Sequence, residues 1–175
     1  MNRYLTIIVA LGFMTSLNAN QNNEKINWYT FEDAVELAAE NPKKILIDVY
    51  TDWCGFCKRM EAETFNNASV ARYINKNFYP VKLNSETTDT ITFQGHKFVN
   101  EGNGRRSAHQ LSIALLQGQM SYPSVVYLNE KLELITTVPG FLNPEAIEPI
   151  LRYFAEDYYM TQSWEDFQSN FSGTF

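Results

Sequence analysis

A chain of 175 residues with 45% of them apolar has the size and composition of one domain around a single core. Its 20 acidic and 14 basic side chains leave a formal charge of -6, which disfavours a nucleic-acid partner, since a phosphate lattice is repelled rather than having its counterions released. Only two cysteines occur, three positions apart, so no distant pair staples the fold, and their spacing points to thiol chemistry.

The start of the chain carries Arg3, then an apolar run from Leu5 to Met14, then the small, polar run Thr15-Ser16-Leu17-Asn18-Ala19. That order reads as a secretory signal peptide over residues 1–19, with cleavage predicted after Ala19. A membrane span needs about 20 apolar residues, more than this run supplies. No cysteine follows Ala19, so lipid attachment is not indicated. The mature protein is expected to be exported, periplasmic or secreted, and soluble after cleavage. Residues 20–27 are polar and read as a flexible leader, ahead of a domain over 28–157.

Thr30 is placed to cap a first helix with Glu32 and Asp33 in its first turn, and Asn41-Pro42 stops it. Ile45 to Tyr50 is a nearly continuous apolar run rich in β-branched residues, as expected of a central strand covered on both faces, with Asp48 as its anomaly. Helical spacing runs from Cys54 to about Phe65, breaks at Asn66-Asn67 and resumes through Val70, Tyr73 and Ile74; Phe78 to Leu83 is the next strand. Thr90 to Phe93 and Lys97 to Val99 flank Gln94-Gly95-His96 as a small hairpin, followed by a loop with Gly102, Gly104, Arg105 and Arg106. Ser107 with Gln110 reads as a capping box for a helix closed by Gly118. Strands over Ser124 to Leu128 and Leu132 to Val138 flank the turn Asn129-Glu130-Lys131, and Asn143-Pro144 opens a core helix bearing Ile147, Ile150, Leu151 and Phe154. Beyond residue 157, Ser163 and Asp166 mark the start of a tail helix with Trp164, Phe167 and Phe171 on one face. The order predicts an α/β sandwich with a mixed central sheet.

A cysteine reacts as thiolate, and Cys54, at the leading end of a helix, gains stabilisation of that anion from unpaired N–H groups and the helix dipole. Cys57 lies one turn on, where it can attack a mixed disulfide formed at Cys54. The same spacing suits half a zinc site or an inert buried pair, but His96 and His109 are spaced too widely for the usual histidine pair. No metal, nicotinamide or flavin cofactor is expected.

The run Ile47-Asp48-Val49-Tyr50-Thr51-Asp52-Trp53-Cys54-Gly55-Phe56-Cys57-Lys58 resembles the active-site strand and helix start of the thioredoxin superfamily, in its exported branch. The resemblance implies a three-layer sandwich, with a hairpin and helix inserted before a cis-proline loop. It implies that Asp48 is a buried acid exchanging a proton with Cys57, and that Lys82 lies near it; the alternative for Lys82 is an ordinary strand lysine. Tyr122-Pro123-Ser124 resembles the cis-proline loop, with the Tyr122 backbone free to pair with an extended substrate. Trp53, Gly55 and Phe56 then shape the approach to the cysteines, and Gly140 lines the groove or serves the turn after Pro139. Phe56 stands where thioredoxin itself most often has proline, which leaves the redox potential open. The long segment over 85–118 departs from the thioredoxin connection, and its Arg105-Arg106 can meet an acidic partner or be solvated.

The function implied is a thiol-disulfide oxidoreductase that reduces or exchanges disulfides in exported proteins, as a monomer fed by a membrane thiol donor; the resemblance of Asp48 and Lys82 to the thioredoxin arrangement favours reduction, while the residues leave the direction of electron flow open. The alternatives are a binding or chaperone module and a disulfide isomerase.

Overall fold

The computed structural model describes residues 24–102, 104 and 106–174. The predicted signal peptide and Arg105 lie outside the described residues.

Local chemistry starts the helices. Thr30 Oγ1 accepts from Asp33 N at 3.1 Å and opens α1 (Phe31–Glu40), which buries Phe31, Ala34 and Ala38. Asn67 caps α3 (Ala68–Asn77), and Asn143, followed by proline, caps α5 (Pro144–Ala155). Between β1 (Lys44–Tyr50) and α3, the chain forms α2 (Gly55–Met60) and continues as a π-helical turn, Glu61–Phe65. Sequence spacing predicts one uninterrupted α-helix here. The turn is pinned where Thr64 Oγ1 donates to Leu142 O at 2.6 Å and Asn66 N bonds back to Glu61 O at 3.0 Å.

Four strands form the central sheet in the order β2-β1-β5-β6. Here β2 is Phe78–Asn84, β5 is Ser124–Leu128 and β6 is Leu134–Pro139. β1 pairs parallel with β2 and antiparallel with β5, and β5 pairs antiparallel with β6. Strand alternation divides the core. Ile45, Ile47 and Val49 meet α1 and the insertion, whereas Leu46 lies with Met60, Val70, Ile74, Ile147 and Leu151 under α2, α3 and α5. Asp48 shares the Leu46 side by the same alternation, which puts the strand's one acid under α2.

The insertion contains the hairpin β3 (Ile91–Phe93) and β4 (His96–Phe98), followed by α4 (Gln110–Leu115). Ser107 does not cap α4. Its hydroxyl donates to Asn100 Oδ1 at 2.8 Å, and His109 is the cap, Nδ1 accepting from Leu111 N at 3.2 Å while Nε2 meets Asp89 O at 3.0 Å. β6 starts at Leu134 rather than Leu132, because Leu132 sits at φ 63 in a turn that Asn129 holds through its side chain and backbone. The polar stretch read as a leader docks at its end: Ile26 is buried, and Asn75 bonds to both Asn27 N and Lys25 O.

The tail forms a 3-10 turn, Tyr158–Met160, and then α6 (Trp164–Ser169), capped by Ser163. Trp164 and Phe167 each stand 5.2 Å from the Tyr153 ring on α5, so the aromatic stripe lies against the domain. No helix among the described residues is long and apolar enough to cross a membrane.

Candidate active site

β1, β5 and β6 bring three chain segments to one end of the sheet. Val49 pairs with Ser124 and Ser124 with Pro139, so the exit of β1 toward Cys54, the Pro123 loop and Gly140 share that end. Thr51 O accepts from Cys54 N at 3.1 Å, turning the chain from strand into α2. Cys54 is the cap residue, and its Sγ accepts from Cys57 N at 3.0 Å. The two cysteines form a disulfide with Cα atoms 5.3 Å apart. An N–H aimed at Cys54 Sγ is the donor that would stabilise this sulfur as an anion once the bond opens.

Behind the disulfide lies a small cleft of about 200 Å³ whose lining includes Asp48, Thr51, Cys57, Glu61 and Lys82. Asp48 is 3% exposed, and its Oδ1 has no hydrogen-bond partner among the described residues. Parallel register sets Lys82 opposite Asp48, with Nζ 3.9 Å from Asp48 Oδ2 and in direct contact with Glu61 Oε2. Burial pushes the Asp48 carboxyl up to about 7; the Lys82 charge opposes this in part, and the Glu61 charge adds to it. Removal from water outweighs the ammonium because Lys82 is shared with a second carboxylate. Lys82 is thus partly buried and ion-paired, and it also stands 5.2 Å over the Trp28 ring.

Glu61 was not legible as a site residue. The available signal was its position four residues after Cys57, one helical turn along the same face.

The Tyr122–Pro123 bond is cis, and Pro123 O accepts from Gly140 N at 2.8 Å. Gly140 has φ 98, a conformation that favours glycine, so the turn after Pro139 and the tie to the proline loop are met by one residue. Gly55 is exposed, and a side chain at its position would meet nothing within 4 Å. Phe56 is 62% exposed, its ring 6.4 Å from Phe141. Trp53 is 47% exposed yet held on three sides: Nε1 donates to Glu86 Oε1 at 2.8 Å, the Tyr122 ring stands edge-on at 6.0 Å, and the Arg106 guanidinium lies 4.4 Å over its face. Among the described residues, no group of three or more His, Cys, Asp or Glu side chains is placed to hold a metal.

A mixed four-stranded sheet with helices on both faces, a cis-proline loop and a cysteine disulfide at the start of a helix define the class: a thioredoxin fold carrying a disulfide-forming pair. The thioredoxin-like domain family matches residues 31–155, and the chain belongs to that family. It is similar to an uncharacterised protein of Archaeoglobus fulgidus, 28% identical over 92 residues that span 51% of this chain and 72% of that one. It is also similar to the thiol:disulfide interchange protein DsbD of Pseudoalteromonas atlantica, 31% identical over 67 residues, 38% of this chain and 11% of the relative. A thioredoxin-fold protein from Helicobacter pylori superposes with a TM-score of 0.56 at 19% identity, covering 74% of this chain and 80% of that one. The chain therefore has the thioredoxin-like disulfide-oxidoreductase fold.

Proposed function

We propose that this chain is an exported protein-disulfide reductase, soluble after removal of residues 1–19, whose working domain spans 28–157. The supporting observation is the Cys54–Cys57 disulfide at a helix start, above a buried carboxyl whose cleft includes Cys57. In the reduced protein, the Cys54 thiolate attacks one sulfur of a substrate disulfide, forming a mixed disulfide and expelling the other sulfur as a thiolate. Cys57 gives its proton to the Asp48 carboxylate and attacks Cys54 Sγ. That bond releases the second substrate sulfur and closes the Cys54–Cys57 disulfide. The substrate gains two electrons and takes up two protons as both its sulfurs become thiols; the protein loses the same electrons. Lys82 positions the Asp48 charge, while Trp53, Gly55, Phe56, Tyr122, Pro123 and Gly140 shape the docking groove.

The cycle stops at the disulfide unless a donor reopens it. A membrane thiol carrier is the proposed supply, and similarity to a protein named for thiol:disulfide interchange supports exchange of this kind.

The test is capture. Cys57→Ser removes the resolving sulfur, so exported proteins should remain linked to Cys54 through a bond that dithiothreitol releases, and Cys54→Ser should capture none. Equal capture by both variants, or by neither, overturns the reading.

A further inference from the structure

The segment over 85–118 touches the active-site rim at several named points. Its first residue, Ser85, donates its amide to Tyr50 O at 2.8 Å and shares a 2.6 Å hydrogen bond with the Tyr122 hydroxyl. Glu86 takes the Trp53 indole N–H, and Arg106 covers the Trp53 ring. Both contacts fall on the residue immediately before Cys54. The insertion is therefore a wall of the groove and not a distant surface loop.

Arg106 is the unusual member of that wall. It sits at φ 70, a backbone region that non-glycine residues seldom occupy and that persists only where the surroundings hold it. Its guanidinium carbon stands 4.4 Å over the Trp53 ring, a cation–π contact that localises the charge, and the residue as a whole is exposed to solvent. Among the described residues, no carboxylate forms an ion pair with it. The acids adjoining Trp53 each accept from another group, Asp52 from Asn84 Nδ2 at 3.2 Å and Glu86 from Trp53 Nε1 at 2.8 Å. Exposed Lys58, next to Cys57, lies instead at the cleft behind the disulfide, with Asp52, Glu61 and Lys82.

We propose that Arg106 is a specificity-determining residue that selects substrates carrying a carboxylate beside the disulfide being reduced. This rests on the reductase reading above. The partner is an extended protein segment with Asp or Glu next to its cysteine, docked so that its carboxylate meets the guanidinium edge while its sulfur meets Cys54. A bidentate arginine–carboxylate contact makes the choice directional, because the same cation repels a lysine at that place.

The experiment uses two peptide disulfides, identical except for Glu or Lys beside the cysteine, and the fully reduced protein. The rate of disulfide transfer is read from tryptophan fluorescence. Each protein's two rates are compared with each other, so a general change in packing cancels. The wild-type chain should favour the Glu peptide by about three- to fivefold at low salt, and the ratio should fall toward unity in about 0.5 M NaCl. Arg106→Glu should invert the ratio and Arg106→Gln should abolish it, while Arg106→Lys should keep part of it, with charge but without the planar fork. A wild-type ratio near unity, or one unchanged by Arg106→Glu, overturns the specificity proposal and leaves the reductase reading standing. Failure of the wild type to reduce either peptide overturns both.

Discussion

Asp48 holds its proton to a higher pH than an ordinary carboxyl, so near pH 7 it exists in both forms and its carboxylate can take up a proton. In the unfolded chain its carboxyl has its ordinary value of 3.8, and in the fold burial raises this to about 7. A group whose value rises on folding contributes stability that is complete below the unfolded value and lost as pH climbs through the folded one. The window therefore runs from about pH 4 to about pH 7. Asp48→Asn keeps a neutral polar group in the same space, so it should change stability little near pH 4 and raise it near pH 8, by an amount on the order of a few kcal/mol. Urea midpoints at the two pH values check this, and a variant effect that is the same at both would show that the carboxyl is not held neutral. The same substitution removes the proposed proton acceptor for Cys57. It should slow release of the mixed disulfide more than its formation.

Charge sharing at Lys82 was only half visible in the chain. The resemblance places Lys82 near Asp48, but Glu61 meets the same ammonium only in the fold, from the residue at which the helix widens into a π turn. Nothing in the residues from Met60 to Phe65 signals that widening. The side chain of Thr64 fixes it through a carbonyl that is remote in the sequence.

At the scale of elements, caps were the most legible features where the capping group is a short side chain acting on the next turn. Thr30, Asn143 and Ser163 serve as their residue types and positions predict. Asn67 follows the same chemistry, its Oδ1 accepting from Ser69 N at 2.9 Å and Val70 N at 3.2 Å. Asn67→Ala should therefore cost about 1 kcal/mol of stability, seen as a lower urea midpoint with an unchanged slope. Capping at α4 was not legible, because an imidazole accepts at Nδ1 only in the tautomer that donates from Nε2, and Asp89 O, twenty residues earlier in sequence, selects that tautomer.

The two α-helical faces differ in what holds them. α1 and the insertion cover one side of the sheet through apolar contact, with Ile91, Leu111 and Leu115 meeting Val126 and Leu128. The side bearing α2, α3 and α5 carries the chemistry, since Asp48 and Cys57 both lie there. Strand alternation makes that division unavoidable once β1 is central, and an acid at an even step from Leu46 must share its side.

Across the whole molecule, the C-terminal tail acts as a strap. Phe167 is buried against Tyr153 and Tyr158, and Phe171 stacks on Phe167 at 5.4 Å. Further on, Thr174 N and Oγ1 donate to the buried carboxylate of Glu148 at 2.9 Å, and Arg152 Nη2 donates to Thr174 Oγ1 at 2.7 Å. Removing residues 163–175 would uncover apolar rings and take two donors from a carboxylate inside the fold. A chain ending at Gln162 should lose about 3 kcal/mol or more of stability and bind an apolar dye in its native state. A truncated chain with the full-length midpoint would mean that the strap rests on the surface without contributing.

The sequence by itself determined whatever depends on neighbours along the chain. It specified the helix starts, the doubly covered central strand, the cysteine pair one turn apart and the Tyr122-Pro123 step. Each rests on interactions within a few residues, whose geometry is set by standard backbone spacing. Tertiary structure alone decided which distant groups meet: Glu61 with Lys82, Arg106 with Trp53, Ile26 with the core and Thr174 with Glu148. These contacts depend on strand register, helix packing and the path of an insertion, and a shift of a few ångströms in any of them would break the pairing while leaving every local signal intact.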